Sequence, residues 1–363
     1  MKSMSLFNKL LKGWSQSEVA NASTNQESVG RERALKNIRD ALVCFLNPDY
    51  AEVNNSGLRE RWLRTVELYD IAKSLESEKS RIYLGVYGSP KMGKSTLLNS
   101  LVGEEILPEA PIPKTGSVID LIHDEKSTVY QLFCKYEESD SYMECVDSTE
   151  KVCEILNSRA GQEKPCEQVK VKGAFTAALP IIKRHMFVLR DTPGAEAEME
   201  NIVNEQLKKD SRKADRSLKE THIPIFCVSS QTLQDKSHKM LFDRYFRDRG
   251  GIYVITRCDD RDEHEHIRNL FSRHFGISQE ENYNLIVCTG MSNIEAKKVD
   301  VGLDKLCETI EKYINKDCLE QRIVNIAKMI SDDDYFSSLK DEFHWPLSKA
   351  QKSIIDSNLK YIN

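Results

Sequence analysis

The chain lacks any long apolar run. No stretch approaches the roughly 18 to 20 residues that a membrane-spanning helix needs, and no leader of the charged, apolar, small-residue type opens it. An integral helical membrane protein and a secreted precursor are therefore not expected, and the location read from the sequence is cytoplasmic. An excess of charge of one sign is missing as well. Net charge is −5, with acidic and basic residues interspersed, so no basic field marks nucleic acid as the main partner. The ten cysteines form no C-x-x-C pair and no metal-ligand spacing. Cys227, Cys258 and Cys288 lie in or beside apolar strands and read as buried small hydrophobes in a reducing compartment.

What is present is organised around phosphate chemistry. With 363 residues, 40% of them apolar, the chain can bury one large α/β domain with helical additions. The apolar run Ile82 to Tyr87 reads as a buried strand. It leads directly into Gly88-Ser89-Pro90-Lys91-Met92-Gly93-Lys94-Ser95-Thr96, after which Leu97 to Val102 continues as a helix. This is the G-x-x-x-x-G-K-[ST] pattern. Its glycines let backbone N–H groups curl around phosphates, Lys94 reaches the β and γ oxygens, and the Ser95 hydroxyl ligates Mg²⁺.

A second apolar run, from Gly250, ends in Thr256-Arg257-Cys258-Asp259, which fits [NT]-[KR]-x-D. A carboxylate at a strand end can accept from guanine N1–H and N2–H₂ together, a donor pair that adenine lacks. The Arg257 stem and planar cation can lie on a purine face. The competing reading of Asp259 is a helix cap or turn. Between the two motifs, a strand from His185 runs into Asp191-Thr192-Pro193-Gly194. Asp191 would support Mg²⁺ through water and the Gly194 N–H would sense a γ-phosphate, although Pro and Gly at these places also suit an ordinary turn. A last strand from Asn284 ends in Cys288-Thr289-Gly290, where a loop backbone is expected to contact the base.

In this order the motifs resemble those of P-loop GTPases, and most of all a bacterial dynamin-like protein. The stretch Leu107-Pro108 to Pro111-Ile112-Pro113-Lys114-Thr115 is similar to the "L-P…P-x-T" switch of dynamin-like proteins. By that match Thr115 holds Mg²⁺ and helps place the attacking water, whereas read alone it is one polar loop residue among many. The resemblance spans roughly residues 81 to 315. It implies GTP as substrate, Mg²⁺ as cofactor, and association either as a homodimer through the GTPase domain or with a longer dynamin-like partner.

Two departures stand out. Dynamins carry Gln and Ser where this chain has Pro90 and Lys91. The proline resembles the G-x-P-N-x-G-K-S loop of ribosome-assembly and tRNA-modification GTPases, whose Asn holds a potassium ion. Lys91 stands in that Asn's place, where guanylate-binding proteins and atlastins set an arginine finger. Lys91 is thus expected to act as a cis cation over the phosphate oxygens, the alternative being a solvated surface lysine. In addition, the segment 196–219 has no Gln placed like the water-orienting Gln of Ras.

The ends read as helical. In residues 1–14, Leu6, Phe7, Leu10, Leu11 and Trp14 share one face flanked by Lys2, Lys9 and Lys12. Such a helix suits peripheral contact with a lipid surface or a partner groove, or packing on the chain's own helices. Residues 15–28 are polar and complete an N-terminal segment 1–28 as a linker. Residues 29–80 and 316–363 are expected to pair as a small bundle around an 81–315 GTPase domain with a mainly parallel sheet. The residues beyond 315 are too few for a long stalk, which a partner would have to supply. The readings from other classes are a ribosome-assembly switch, opposed by a tail that is not basic and has no G-x-x-G clamp, and a catalytically weak scaffold. The segment 128–175 reads as an insertion with a strand at 128–136 and a helix at 150–159.

Overall fold

A computed structural model describes residues 16–45, 56–73, 81–108, 117–136, 142–160, 168–193, 205–277, 283–337 and 349–362. The chain divides into two units, residues 57–318 and the paired ends 1–56 with 319–363.

The larger unit is built on a nine-stranded sheet. Its strands are β1 (Ile82–Tyr87), β2 (Val118–His123), β3 (Tyr130–Lys135), β4 (Tyr142–Val146), β5 (Gln168–Gly173), β6 (Phe187–Asp191), β7 (Ile223–Ser229), β8 (Ile252–Thr256) and β9 (Ile286–Cys288). The spatial order is β4-β3-β5-β2-β6-β1-β7-β8-β9. From β6 through β1, β7 and β8 to β9 every pairing is parallel. Those strands are near-continuous apolar runs, as strands covered on both faces must be, and β6, β7 and β8 are buried at every position.

Beyond β6 the sheet changes character. β2 runs antiparallel to β6 and parallel to β5, and β3 is antiparallel to both β5 and β4. The expected strand and helix of the insertion are present as β3 and α4 (Thr149–Ala160), and β4 and β5 add two strands that sequence reasoning did not separate. β5 alternates half-buried and buried residues, the signature of a strand with one covered face.

Helices fill the crossovers: α3 (Lys94–Val102), α5 (Pro180–Arg184), α6 (Glu205–Lys219), α7 (Lys236–Tyr245), α8 (His264–Phe275) and α9 (Leu303–Ile314). Phe226 on β7 meets Phe242, Phe246 and Phe275, and Tyr253 on β8 meets Phe242 and Phe271, at ring separations between 5.1 and 5.8 Å. Arg190 of β6 forms a fork with Asp120 of β2, at 2.7 and 3.0 Å, with both side chains almost wholly buried. A bidentate pair of this kind, also braced by Gln168 at 2.8 Å, fixes the antiparallel β2–β6 register, because removing either partner would strand a buried charge.

The expectation that residues 29–80 belong as a whole to the terminal bundle is corrected. Helix α2 (Ser56–Lys73) lies in the sheet unit. Trp62, Val66, Leu68 and Tyr69 are buried there, and Glu60 pairs with Arg249 in the turn before β8. The helical spacing of Trp62, Val66 and Tyr69 marks a buried face but does not name its partner.

In the smaller unit, α1 (Gln16–Phe45) runs through the polar stretch expected to be a linker. That stretch contains no proline, and its Gln, Glu and Ala residues are compatible with a helix. Ala34, Leu35, Ile38, Ala41 and Leu42 form its buried stripe, and Asn37 bonds Asn358 of α11 (Lys349–Leu359) at 3.0 Å. The helix α10 (Lys316–Ser331) buries Leu319, Ile323, Ala327 and Ile330 at helical spacing. No described helix is long and apolar enough to cross a membrane, and residues 1–14 lie outside the described set.

Candidate functional site

Parallel strands point their C-terminal ends the same way, so β1, β6, β8 and β9 deliver Gly88, Asp191, Thr256 and Cys288 to one edge of the sheet. That edge is where open α/β sheets bind ligands.

The loop 88–93 leaves β1 and enters α3 as expected. Gly88 has φ 151°, and a Cβ there would lie 2.2 Å from the Cys227 carbonyl oxygen, so only glycine lets β1 turn this close to β7. Lys91 holds φ 66°, the left-handed region that costs a non-glycine residue roughly 1 kcal/mol or more. Its side chain is exposed. Lys94 is buried, and its Nζ donates to the carbonyls of Gly88 at 3.1 Å and Ser89 at 2.9 Å. Burial pulls its pKa down, opposed by the charge of Asp191. The ammonium is thus held inside the loop at the place where phosphate oxygens would complete its coordination.

Ser95 Oγ donates to Asp191 Oδ2 at 2.8 Å. Burial raises the pKa of Asp191, while its Oδ1 is buried without a hydrogen-bond partner. A hydroxyl and a carboxylate side by side, one oxygen orphaned, form a hard-oxygen donor set that suits Mg²⁺. Thr192, next in the chain, is tied back to the Val86 carbonyl at 2.7 Å. Thr115 and Gly194 lie outside the described residues.

The base motif meets the phosphate loop directly. Thr256 Oγ1 donates to the Met92 carbonyl at 3.0 Å. Arg257, at φ 59°, sends its guanidinium to Gln231 Oε1 at 2.8 Å and to the Lys91 carbonyl at 3.4 Å. Its planar head therefore braces the crown of the loop, a role that spacing alone did not suggest. Asp259 is exposed at the strand end, and its Oδ1 accepts from the Met291 N–H at 2.7 Å. Cys288 and Thr289 are buried, as are Cys227 and Cys258, and the Thr289 carbonyl accepts from the Cys258 N–H at 3.0 Å. A Cβ on Gly290 would sit 2.5 Å from the Cys258 carbonyl oxygen, so this glycine lets the last loop press against Cys258-Asp259.

Ser89, Pro90, Lys91, Met92, Gly93, Lys94, Ser95 and Thr96 thus adjoin Asp191 on one side and Thr256, Arg257 and Asp259 on the other. Sequence reasoning missed His238. Its Nδ1 lies 3.1 Å from Ser89 Oγ and its Nε2 lies 3.1 Å from Thr232 Oγ1. No local pattern announces a partner 149 residues away.

Residues 84–256 match the family model described as the Dynamin family. Over these residues the chain is similar to the Dynamin family. The match begins within β1 and ends at Thr256, so it contains the phosphate loop, Asp191 and the start of the base motif. No curated protein matches the chain. Among solved structures, it is similar to a chain of an oligomerised bacterial dynamin pair described as a mechanism for long-range sensing and tethering of membranes. That likeness has 12% identity and a TM-score of 0.47, covering 99% of this chain and 53% of the other. It is also similar to a variant of Aquifex aeolicus Era bound to GDP.AlF4-, at 17% identity and a TM-score of 0.36, covering 64% and 57%. The chain spans about half the length of the structures it matches.

Proposed function

We propose that this chain binds GTP and hydrolyses it with Mg²⁺, coupling nucleotide state to assembly. The observation that carries the reading is the convergence of Lys94, Ser95–Asp191 and Thr256–Asp259 on one sheet edge, with the Thr256 hydroxyl bonded to the phosphate loop. Phosphates would lie in the loop 88–95 against backbone N–H groups, with the Lys94 ammonium on the β and γ oxygens. Ser95, Asp191 and Thr115 would hold Mg²⁺, which when bound neutralises charge on the β and γ phosphates. Asp259 would accept from guanine, with Cys288 and Thr289 lining the base. Lys91 would lay its cation over the phosphate chain as negative charge shifts toward the leaving oxygen. Water held by the Thr115–Gly194 region would attack the γ-phosphorus. The bond to the β–γ bridging oxygen would break, releasing GDP and inorganic phosphate.

The assembly is proposed as a homodimer through the GTPase domain or a hetero-oligomer with a longer dynamin-like partner. Residues 1–14 are proposed to supply a peripheral membrane contact in the cytoplasm, on the strength of their basic, one-faced apolar pattern. The test is turnover of GTP and ATP across a range of protein concentrations, with light scattering followed in the same samples. GTP-selective turnover whose specific activity rises with concentration is expected. Equal turnover of ATP would overturn the base assignment, and flat, slow hydrolysis with tight GTP binding would replace an assembly machine with a switch or scaffold. Cosedimentation with liposomes, with and without residues 1–14, tests the membrane contact.

A further inference from the structure

Resting on the reading of Asp259 as the base acceptor, we infer that Asp300 is a positioning residue for guanine recognition. It acts through the loop 290–301 on the carboxylate of Asp259. Asp259 must offer two oxygens in one plane to meet N1–H and N2–H₂ together, and an exposed carboxylate at a strand end otherwise rotates freely. One oxygen is held by the Met291 N–H at 2.7 Å. That N–H points correctly only if the loop around it is fixed, and three attachments fix it.

Asp300 Oδ1 accepts from the Ser292 N–H at 2.7 Å, and its other oxygen accepts from the Ser292 hydroxyl. Asp300 therefore clamps the residue that follows Met291. Gly290 and Val301 exchange backbone hydrogen bonds at 3.1 Å in both directions, closing the loop at its base. Val299 N–H donates to the buried Ser100 Oγ at 2.9 Å, which anchors the loop to the helix that starts at Lys94. Gly290 meanwhile lies against Cys258-Asp259 with no room for a side chain. The clamp, the closed base and the anchor leave the Met291 N–H one orientation, and with it the carboxylate plane of Asp259.

The base that reads this plane is hypoxanthine. Inosine nucleotides keep N1–H but lack the 2-amino group, so the ratio of GDP to IDP affinity reports whether both Asp259 oxygens are in place. Loss of one hydrogen bond to a charged acceptor corresponds to roughly tenfold or more in affinity, which is the discrimination expected of the wild type.

The experiment measures GDP, IDP and ADP affinities by fluorescence titration for the full chain and for Asp300→Ala, Asp300→Asn and Ser292→Ala. Asp300→Ala is expected to lower the GDP/IDP ratio by about fivefold, mostly through weaker GDP binding. Asp300→Asn, whose amide can still accept from the Ser292 N–H and donate to its hydroxyl, should stay within about twofold of wild type. Ser292→Ala, which removes only the hydroxyl bond, should fall between them. A ratio unchanged in Asp300→Ala and Ser292→Ala, with GDP and IDP affinities moving together, would reduce Asp300 to a structural residue and overturn the inference. An Asp300→Asn that loses as much discrimination as Asp300→Ala would show that charge acts rather than the clamp, and would also overturn it. A wild type that binds ADP as tightly as GDP overturns the base assignment itself, so the two failures are distinguishable.

Discussion

Thr256 Oγ1, on the last residue of β8, donates to the Met92 carbonyl at 3.0 Å and so joins the base-reading strand to the phosphate loop across 164 residues of chain. The same carbonyl also accepts from Cys227 Sγ, but the hydroxyl is its shorter partner. Thr256→Val keeps the shape and removes the donor. The expected cost is about 1–2 kcal/mol of stability, read by urea unfolding. Because the bond spans both halves of the site, GDP affinity should fall together with affinity for GTP. A variant that binds GDP normally would show that the two halves hold their places independently.

The Ser95–Asp191 contact makes a prediction about Mg²⁺. If Ser95 Oγ and the orphaned Asp191 oxygen hold the metal, wild-type affinity for a fluorescent GTP analogue should drop when EDTA replaces Mg²⁺. In Ser95→Ala and Asp191→Asn, that response should shrink by about tenfold. A full Mg²⁺ response in Ser95→Ala would remove the serine from the ligand set.

Lys91 is tested more cleanly by glycine than by alanine. Its φ of 66° would penalise alanine as it does lysine, whereas Lys91→Gly removes the exposed side chain with its ammonium and relieves the backbone. If Lys91 is the cis cation, Lys91→Gly should lower kcat by about 10²-fold, the size of one lost transition-state donor, with GDP affinity within about threefold. Wild-type turnover should not distinguish K⁺ from Na⁺. Undiminished turnover in Lys91→Gly would identify a solvated surface lysine.

His238 is almost wholly buried between Ser89 and Thr232. His238→Ala leaves two hydroxyls short of a partner and should cost about 2–3 kcal/mol. If the imidazole acts on the phosphate loop through Ser89, a double-mutant cycle of His238→Ala with Ser89→Ala should show coupling of about 1 kcal/mol in GDP binding. Strict additivity would confine His238 to packing.

Contiguity separates what could be read in the sequence from what could not. The runs 88–96, 191–194 and 256–259 are each contiguous and follow an apolar strand, so they stand out in one dimension. His238, Asp300 and the bracing role of Arg257 depend on partners brought near by folding. The strand Gln168–Gly173 alternates Val with Lys and resembles an exposed segment until β2 and β3 pair along its two edges and the face carrying Val169 and Val171 is buried. For α2, Trp62, Val66 and Tyr69 recur at helical spacing and are buried, but a stripe does not say which surface it covers.

His222 provides a test of stability against pH. Its Nδ1 accepts from the Tyr83 N–H at 3.0 Å. Burial, then the guanidinium charges of Arg64 and Arg190, lowers its pKa from 6.5 to about 4. Glu67 lies 4.0 Å from Nε2, at the limit of ion-pair contact, and does not offset two cations. The folded state therefore holds the ring neutral where the unfolded chain would protonate it. The contribution is fully present above about pH 6.5 and is lost as pH falls toward 4. Over that window the loss amounts to about 3 kcal/mol. Urea unfolding of wild type and His222→Asn at intervals between about pH 4 and 7 should give a steeper slope for wild type and a smaller gap between the two at the acid end. Parallel slopes would mean that His222 takes up its proton as readily in the folded state as in the unfolded chain, so that burial does not depress its pKa.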